Sequence, residues 1–176
     1  MASVTRRVVV TGSESTGKTT LAKALADHYR VPWVPEFARE YAAARGGQVS
    51  AADLEPIARG QLGLEARFRE AAGSSRLILD TDLLSTWIYA LHYYGSPLGW
   101  IDEQLRTAPT DLYLLCETDL PWVADPVRDP VQQREAIQAL FLGELVRRGL
   151  PFERVRGSGS QRLAAAIRAI DTHLKL

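Results

Sequence analysis

Residues Gly12-Ser13-Glu14-Ser15-Thr16-Gly17-Lys18-Thr19 meet every fixed position of the pattern G-x-x-x-x-G-K-[ST]. Before them, Arg7-Val8-Val9-Val10 reads as a short buried strand; after them, Leu21, Ala24, Leu25 and His28 recur at helical spacing. Strand, glycine loop and helix in that order constrain the fold more than any other feature of the chain. In such a loop the glycines let successive backbone N–H groups turn around an anion, and the helix adds its positive N-terminal end. Gly12, Ser13, Glu14, Ser15, Thr16, Gly17, Lys18, Thr19 and Thr20 are therefore expected to cradle nucleotide phosphates. Lys18 would reach the β- and γ-phosphates, and Thr19 would offer its hydroxyl to magnesium.

A chain of 176 residues, 46% hydrophobic, has room for one packed core, and a single domain over residues 1–176 is expected. Its 21 basic residues balance 21 acidic ones, which gives no sign of nucleic acid as a partner. The one cysteine, in Leu114-Leu115-Cys116, reads as a small buried hydrophobe and suits a reducing compartment. No apolar run approaches 18 residues and no signal-peptide core opens the sequence. A cytoplasmic protein with no membrane partner follows as an expectation. The oligomeric state stays open.

Along the chain, the first helix ends near Tyr29, where Val31-Pro32 stops it. Pro32 to Phe37 reads as a short edge strand, broken by two prolines. A helical turn or two over Arg39–Arg45 follows, then a longer helix capped by Ser50-Ala51-Ala52-Asp53 and weakened by Gly60 and Gly63. Arg76 to Asp82, apolar on both faces, belongs inside a parallel sheet. Helices over Leu83–Tyr94 and Trp100–Arg106 precede a fourth strand, Asp111–Glu117. A Pro-rich polar loop over about 118–134, a helix ending at Arg148-Gly149, a fifth strand over Pro151–Arg156 and a last helix complete the order. Strands alternating with helices imply a three-layer α/β domain around a five-stranded parallel sheet.

Ligands of such sheets bind beyond the C-terminal strand ends, where Gly12, Glu36, Asp80, Asp82 and Glu117 fall. Asp80, ending Leu77-Ile78-Leu79, suits a magnesium-holding carboxylate, with a helix cap as the plain alternative. Thr81 follows it, where ring motors and transporters carry a glutamate for hydrolysis; a guanine reader and a transporter signature are absent too. A small-molecule kinase remains, and its lid must exclude water from the γ-phosphate. Arg128 and Arg134 suit that lid, because guanidinium charge counters a transferring phosphoryl group. Gly157 to Ser160 reads equally as a backbone frame for adenine or as a turn. Six arginines between Arg147 and Arg168 face only Glu153, which reads as solvated surface, with an acidic or phosphate-bearing partner as the alternative.

Gly12 to Thr19, Glu36-Phe37-Ala38-Arg39-Glu40, Leu79-Asp80-Thr81-Asp82, and Pro121-Trp122-Val123-Ala124-Asp125 followed by Arg128 together resemble the nicotinamide riboside kinase domain of NadR-type NAD-biosynthesis proteins. The resemblance implies a P-loop fold like that of deoxynucleoside and thymidylate kinases, ATP with Mg2+, and phosphorylation of the 5′-hydroxyl of nicotinamide riboside. Pro35 and Pro126 depart from that pattern, in which an aromatic residue and a glycine stand there. Trp33, Trp87 or Tyr93 would then offer a ring surface for the substrate, with Trp87 preferred. Lys18, Glu36, Asp82 and Arg128 are the catalytic candidates: Glu36 as the base for the 5′-hydroxyl, and Asp82 as its alternative. Arg39 or Asp82 would hold ribose hydroxyls, Arg134 would join the phosphate site, and Thr19 with Asp80 would hold magnesium. None of His28, His92 and His173 belongs to a nucleotidyltransferase signature, so a stand-alone kinase is expected. Two other readings stay open: a kinase for another nucleoside, nucleotide or small metabolite, and a non-catalytic sensor of ATP and pyridine nucleotides.

Overall fold

The computed structural model describes residues 5–72, 76–108, 110–123 and 131–175. Val8, Val9 and Val10 lie in strand β1 (Arg6–Thr11) and have no exposed surface. Branching at Cβ stiffens them for the extended state, and burial on both sides puts the strand inside the sheet. The other strands are β2 (Trp33–Val34), β3 (Arg76–Asp80), β4 (Leu112–Cys116) and β5 (Phe152–Val155). All pair in parallel, in the order β2-β3-β1-β4-β5. The expected five-stranded parallel sheet is thus present.

Seven helices accompany these strands among the described residues: α1 (Lys18–Tyr29), α2 (Phe37–Ala44), α3 (Leu54–Ala72), α4 (Leu83–Tyr94), α5 (Gly99–Thr107), α6 (Val131–Arg147) and α7 (Gly159–Leu174). Alternation of side chains divides the core in two. Val9, Leu77, Leu79, Tyr113 and Leu115 pack on Ala58 of α3, Leu84 and Ile88 of α4, Ile101 of α5 and Phe141 of α6. Val8, Val10, Ile78, Leu114 and Cys116 pack on Leu21 and Leu25 of α1 and on Ala166 and Ile170 of α7. Each fully buried valine or leucine contributes about 1.5–3 kcal/mol, so both helical layers hold the sheet. Cys116 is the buried, unpaired thiol that its apolar neighbours imply. Among the described residues, no helix is long and apolar enough to cross a membrane.

The edge strand is shorter than expected. Pro35 offers no N–H to a ladder and Phe37 already opens α2, so only Trp33 and Val34 pair, with Ile78 and Leu79. That early exit leaves Glu36 just before α2, at the C-terminal edge of the sheet. β1 lies between β3 and β4, and the crevice expected where the strand order reverses opens above its end.

Candidate active site

The loop after β1 is held from several sides. Gly12 has φ +130°, and a Cβ there would come within 2.8 Å of the Cys116 carbonyl oxygen, so only glycine fits between β1 and β4. Gln138 of α6 accepts from the Ser13 N–H at 2.9 Å and donates to the Cys116 carbonyl at 3.0 Å, tying the loop to β4. Lys18 Nζ and Thr16 Oγ1 each donate to the Ser13 carbonyl at 2.8 Å. A cavity of about 390 Å³ opens over this loop, lined by Ser15, Thr16, Gly17, Lys18, Thr19 and Thr20 among others. Gln138 carries no motif, and only its position on the buried side of α6 could have singled it out.

At the floor of this cradle, Thr19 Oγ1 donates to Asp80 Oδ2 at 2.6 Å. Asp80 is almost wholly buried, and its Oδ1 has no hydrogen-bond partner among the described residues. Burial raises its pKa against the lowering effect of the Thr19 bond and Lys18. An orphaned buried carboxylate oxygen beside a hydroxyl is a donor set for a hard cation, and magnesium completes its shell with water and phosphate oxygens. The described residues contain no cluster of three or more His, Cys, Asp or Glu that would make an all-protein metal cage. Thr19 and Asp80 fit magnesium carried with a nucleotide better than a resident metal.

A second cavity of about 320 Å³ adjoins the first, and Glu14, Glu36 and Arg39 line both. Its walls combine Leu54, Ile57 and Gln61 of α3 with Ser85, Tyr89 and Tyr93 of α4. Glu36 is set in place by α3: the Phe37 N–H donates to Gln61 Oε1 at 2.9 Å, and the Phe37 ring fills the space a side chain at Gly60 would need. Gly60, a weak point of the helix pattern, therefore exists to admit Phe37. Burial pushes the Glu36 carboxyl up to about 7, with Lys18 opposing and the Asp80 and Glu14 charges adding to the rise. Arg39 Nε stands 3.8 Å from its Oε2. The Tyr89 hydroxyl donates to Glu14 Oε1 at 2.6 Å, and its ring stacks with Tyr93 at 6.3 Å between centroids. Glu14 thus turns its carboxylate to the second cavity as well as lining the first.

Several expectations change. Asp82 is not placed to serve as a base: it caps α4 by accepting from the Leu84 N–H at 3.0 Å, and its other oxygen accepts from the buried Tyr113 hydroxyl at 2.7 Å. Asp82 nevertheless lines the second cavity, where the expected ribose contact would have to compete with these bonds. Trp87 packs against the α-layer core with Arg148 over its ring at 4.7 Å, outside the cavity, because α4 turns Ser85, Tyr89 and Tyr93 to the opening instead. Trp33 likewise packs in the other layer under Lys23. Arg134 does not stand over the phosphate site; it is buried, and its guanidinium donates to the Ser15 and Leu120 carbonyls at 3.1 and 2.8 Å. Arg128 and the middle of the expected lid, residues 124–130, lie outside the described residues.

Four of the six arginines between Arg147 and Arg168 are held in ion pairs. Arg147 and Arg148 pair with Glu144, Arg154 with Glu117, and Arg162 with Asp119. Gly157 donates its N–H to Asp119 Oδ2 at 2.6 Å, and α7 already begins at Gly159, so the expected loop to Ser160 is shorter.

The chain resembles known proteins across this whole arrangement. It is 29% identical over 160 residues to the trifunctional NAD biosynthesis/regulator protein NadR of Salmonella typhimurium, an alignment covering 86% of this chain and 38% of that one. It therefore spans well under half the length of that relative. A crystal structure of NadR protein in complex with NR superposes with a TM-score of 0.77 at 25% identity, covering 98% of this chain and 51% of that one. NadR in complex with NAD and AMP-PNP gives 0.74, also at 25% identity, with 98% and 50% covered. Thymidylate kinase from Ehrlichia chaffeensis, 13% identical with 96% and 98% covered, shares the fold at a TM-score of 0.69. The fold is the P-loop kinase architecture expected from the sequence. Through a match over residues 7–162, the chain belongs to the AAA domain family AAA_28.

Proposed function

We propose that this protein transfers the γ-phosphoryl group of ATP to the 5′-hydroxyl of nicotinamide riboside, giving nicotinamide mononucleotide and ADP. The observation that carries the reading is the shared wall: a phosphate cradle and a second cavity meet at Glu14, Glu36 and Arg39. A phosphate donor on one side and a nucleoside on the other would meet at that wall, as in-line transfer requires. The NadR relatives, one of them in complex with NR and another with AMP-PNP, support the same pair of ligands.

In this reading the 12–20 loop binds the donor phosphates through backbone N–H groups and Lys18. Glu36 orients the 5′-hydroxyl and accepts its proton as the oxygen bonds to the γ-phosphorus and the bond from that phosphorus to the bridging oxygen of ADP breaks. A carboxyl pushed up to about 7 is matched to taking a proton near neutral pH. Arg39 holds Glu36 in place or takes a ribose hydroxyl. Thr19 and Asp80 would hold magnesium, which when bound neutralises charge on the β- and γ-phosphates. Tyr89 and Tyr93 offer the planar surface for the base, in place of Trp87.

The test is ADP release coupled to an optical readout, with ATP, Mg2+ and a panel of nicotinamide riboside, thymidine, deoxyadenosine, dTMP and cytidine. Nicotinamide riboside should raise the rate at least about tenfold over ATP alone. Stimulation by another acceptor without stimulation by nicotinamide riboside would overturn the assignment.

A further inference from the structure

Two buried arginines stand behind the phosphate loop. Arg162, on α7, is 4% exposed and makes four hydrogen bonds. Its Nη2 donates to the Thr16 carbonyl at 2.8 Å and the Glu117 carbonyl at 3.1 Å; its Nη1 donates to Asp119 Oδ1 at 2.8 Å and the Gly157 carbonyl at 2.7 Å. Arg134, on α6, is 6% exposed and reaches the Ser15 carbonyl. The carbonyls of Ser15 and Thr16 belong to two consecutive peptide bonds.

In a trans peptide the C=O and the N–H that follows it point to opposite sides. A guanidinium that takes the Thr16 carbonyl behind the loop therefore turns the Gly17 N–H to the front, and one that takes the Ser15 carbonyl turns the Thr16 N–H the same way. Thr16 and Gly17 both line the donor cavity. The backbone here needs such help, because Ser15 (φ +55°) and Gly17 (φ +74°) both occupy the left-handed region, which is costly for serine. Asp119 bridges Arg162 and the Gly157 N–H, so the fork is itself fixed.

We propose that Arg162, with Arg134 as the lesser partner, is a positioning residue: it orients two successive peptides of the loop so that the Thr16 and Gly17 N–H groups face the phosphates. Neither arginine touches the nucleotide in this scheme. The fork matters because only a planar guanidinium can take four acceptors at once, which an ammonium cannot. The proposal rests on the phosphate-binding half of the kinase reading and is independent of the acceptor.

Calorimetric titration with inorganic tripolyphosphate tests it, alongside circular dichroism and thermal midpoints for each variant. Arg162→Met should weaken tripolyphosphate binding by about tenfold or more in the folded protein, and Arg162→Lys should weaken it almost as much despite keeping the charge. Arg134→Met, which frees one loop carbonyl, should weaken it by about threefold. A merely structural role would lower the midpoint and leave the affinity of the folded protein untouched. Full affinity in folded Arg162→Met, or full rescue by lysine, would overturn the brace; should the methionine variant not fold, Arg162→Lys and Arg134→Met decide in its place. Failure of the wild-type protein to bind tripolyphosphate would instead overturn the phosphate-site reading.

Discussion

The two cavities that meet at Glu36 are built in different ways. The phosphate loop is one continuous stretch, Gly12 to Thr20, whose expected binding groups are mostly backbone, and the rest of the fold fastens it through Gln138, Arg134 and Arg162. The second cavity has no local segment of its own. Its walls come mainly from α2, α3 and α4, with Glu36, the Thr81-Asp82 turn after β3 and one side chain of the phosphate loop, Glu14, so its shape depends on how those elements pack. Binding groups of the backbone tolerate change in the side chains around them, whereas a cavity made of side chains changes with each one. The cradle should therefore be general among phosphate donors, and the second cavity should carry the specificity.

Four variants would break or sharpen that contrast. Lys18→Ala, on the donor side, should lower kcat on the order of 10³-fold or more by removing charge from the transferring phosphate, and leave nicotinamide riboside binding, followed by calorimetry, within about twofold. Equal loss of both would mean that the two sides are not separable. Glu36→Gln, on the boundary, should cost roughly 10²- to 10⁴-fold in kcat with little change in KM for ATP. A loss confined to KM would remove Glu36 from the chemistry.

The same substitution has a consequence for stability. The folded Glu36 carboxyl, held up at about 7, binds its proton more tightly than an unfolded glutamate, so its contribution is full at low pH and lost as pH rises through about 7. Glu65, which burial also raises to about 7, adds a loss of the same sign. Urea unfolding of the ligand-free protein at pH 5 and pH 8 should thus show a smaller drop in Glu36→Gln than in the wild type. An unchanged drop would assign the effect to the other carboxyls that burial raises, Glu65, Asp80 and Asp82.

Tyr89→Phe should raise KM for the acceptor about fivefold and KM for ATP less, since Tyr89 itself lines only the second cavity and meets Glu14 there. A matching rise for ATP would show that the tyrosine instead steadies the loop. The smallest effect on activity is expected for Asp82→Asn. It should lower stability by about 1 kcal/mol in urea titrations through the weakened α4 cap and Tyr113 bond, with kcat within about twofold. A collapse of kcat in a folded protein would return Asp82 to the chemistry.

Legibility in the sequence followed the same division. Spacing alone located β1, α1 and the loop between them, because a glycine pattern, an apolar run and a helical repeat all act within a few residues. The Leu83–Tyr94 helix was likewise legible to its ends, with Gly95 at φ +65° closing it. Thr19 and Asp80 were readable as a pair because each sits at a fixed place after a strand. Trp87 misled, since an aromatic on an apolar helix can face either the core or a cavity, and the packing of α5 and α6 against α4 chose the core. Asp82 misled because a carboxylate after a strand reads equally as a ligand or a cap; the left-handed turn at Thr81 (φ +66°) made it a cap. Four of the arginines between Arg147 and Arg168 read as unpaired because their partners Glu144, Glu117 and Asp119 lie before Arg147 in the sequence.

By itself the sequence determined the phosphate-loop pattern of Gly12 to Thr20 in front of a parallel sheet, since the interactions that shape such a loop are local and made mostly by the backbone. Only the tertiary structure decided what faces the phosphates from across the site. It set Glu36 against both cavities through Gln61 and Gly60, engaged both oxygens of Asp82 with Leu84 and Tyr113, packed Trp87 against the core, and put Arg134 and Arg162 behind the loop. Those outcomes depend on side chains far apart in the chain competing for the same buried space and the same few hydrogen-bond acceptors, and such competition is resolved only when the helices pack.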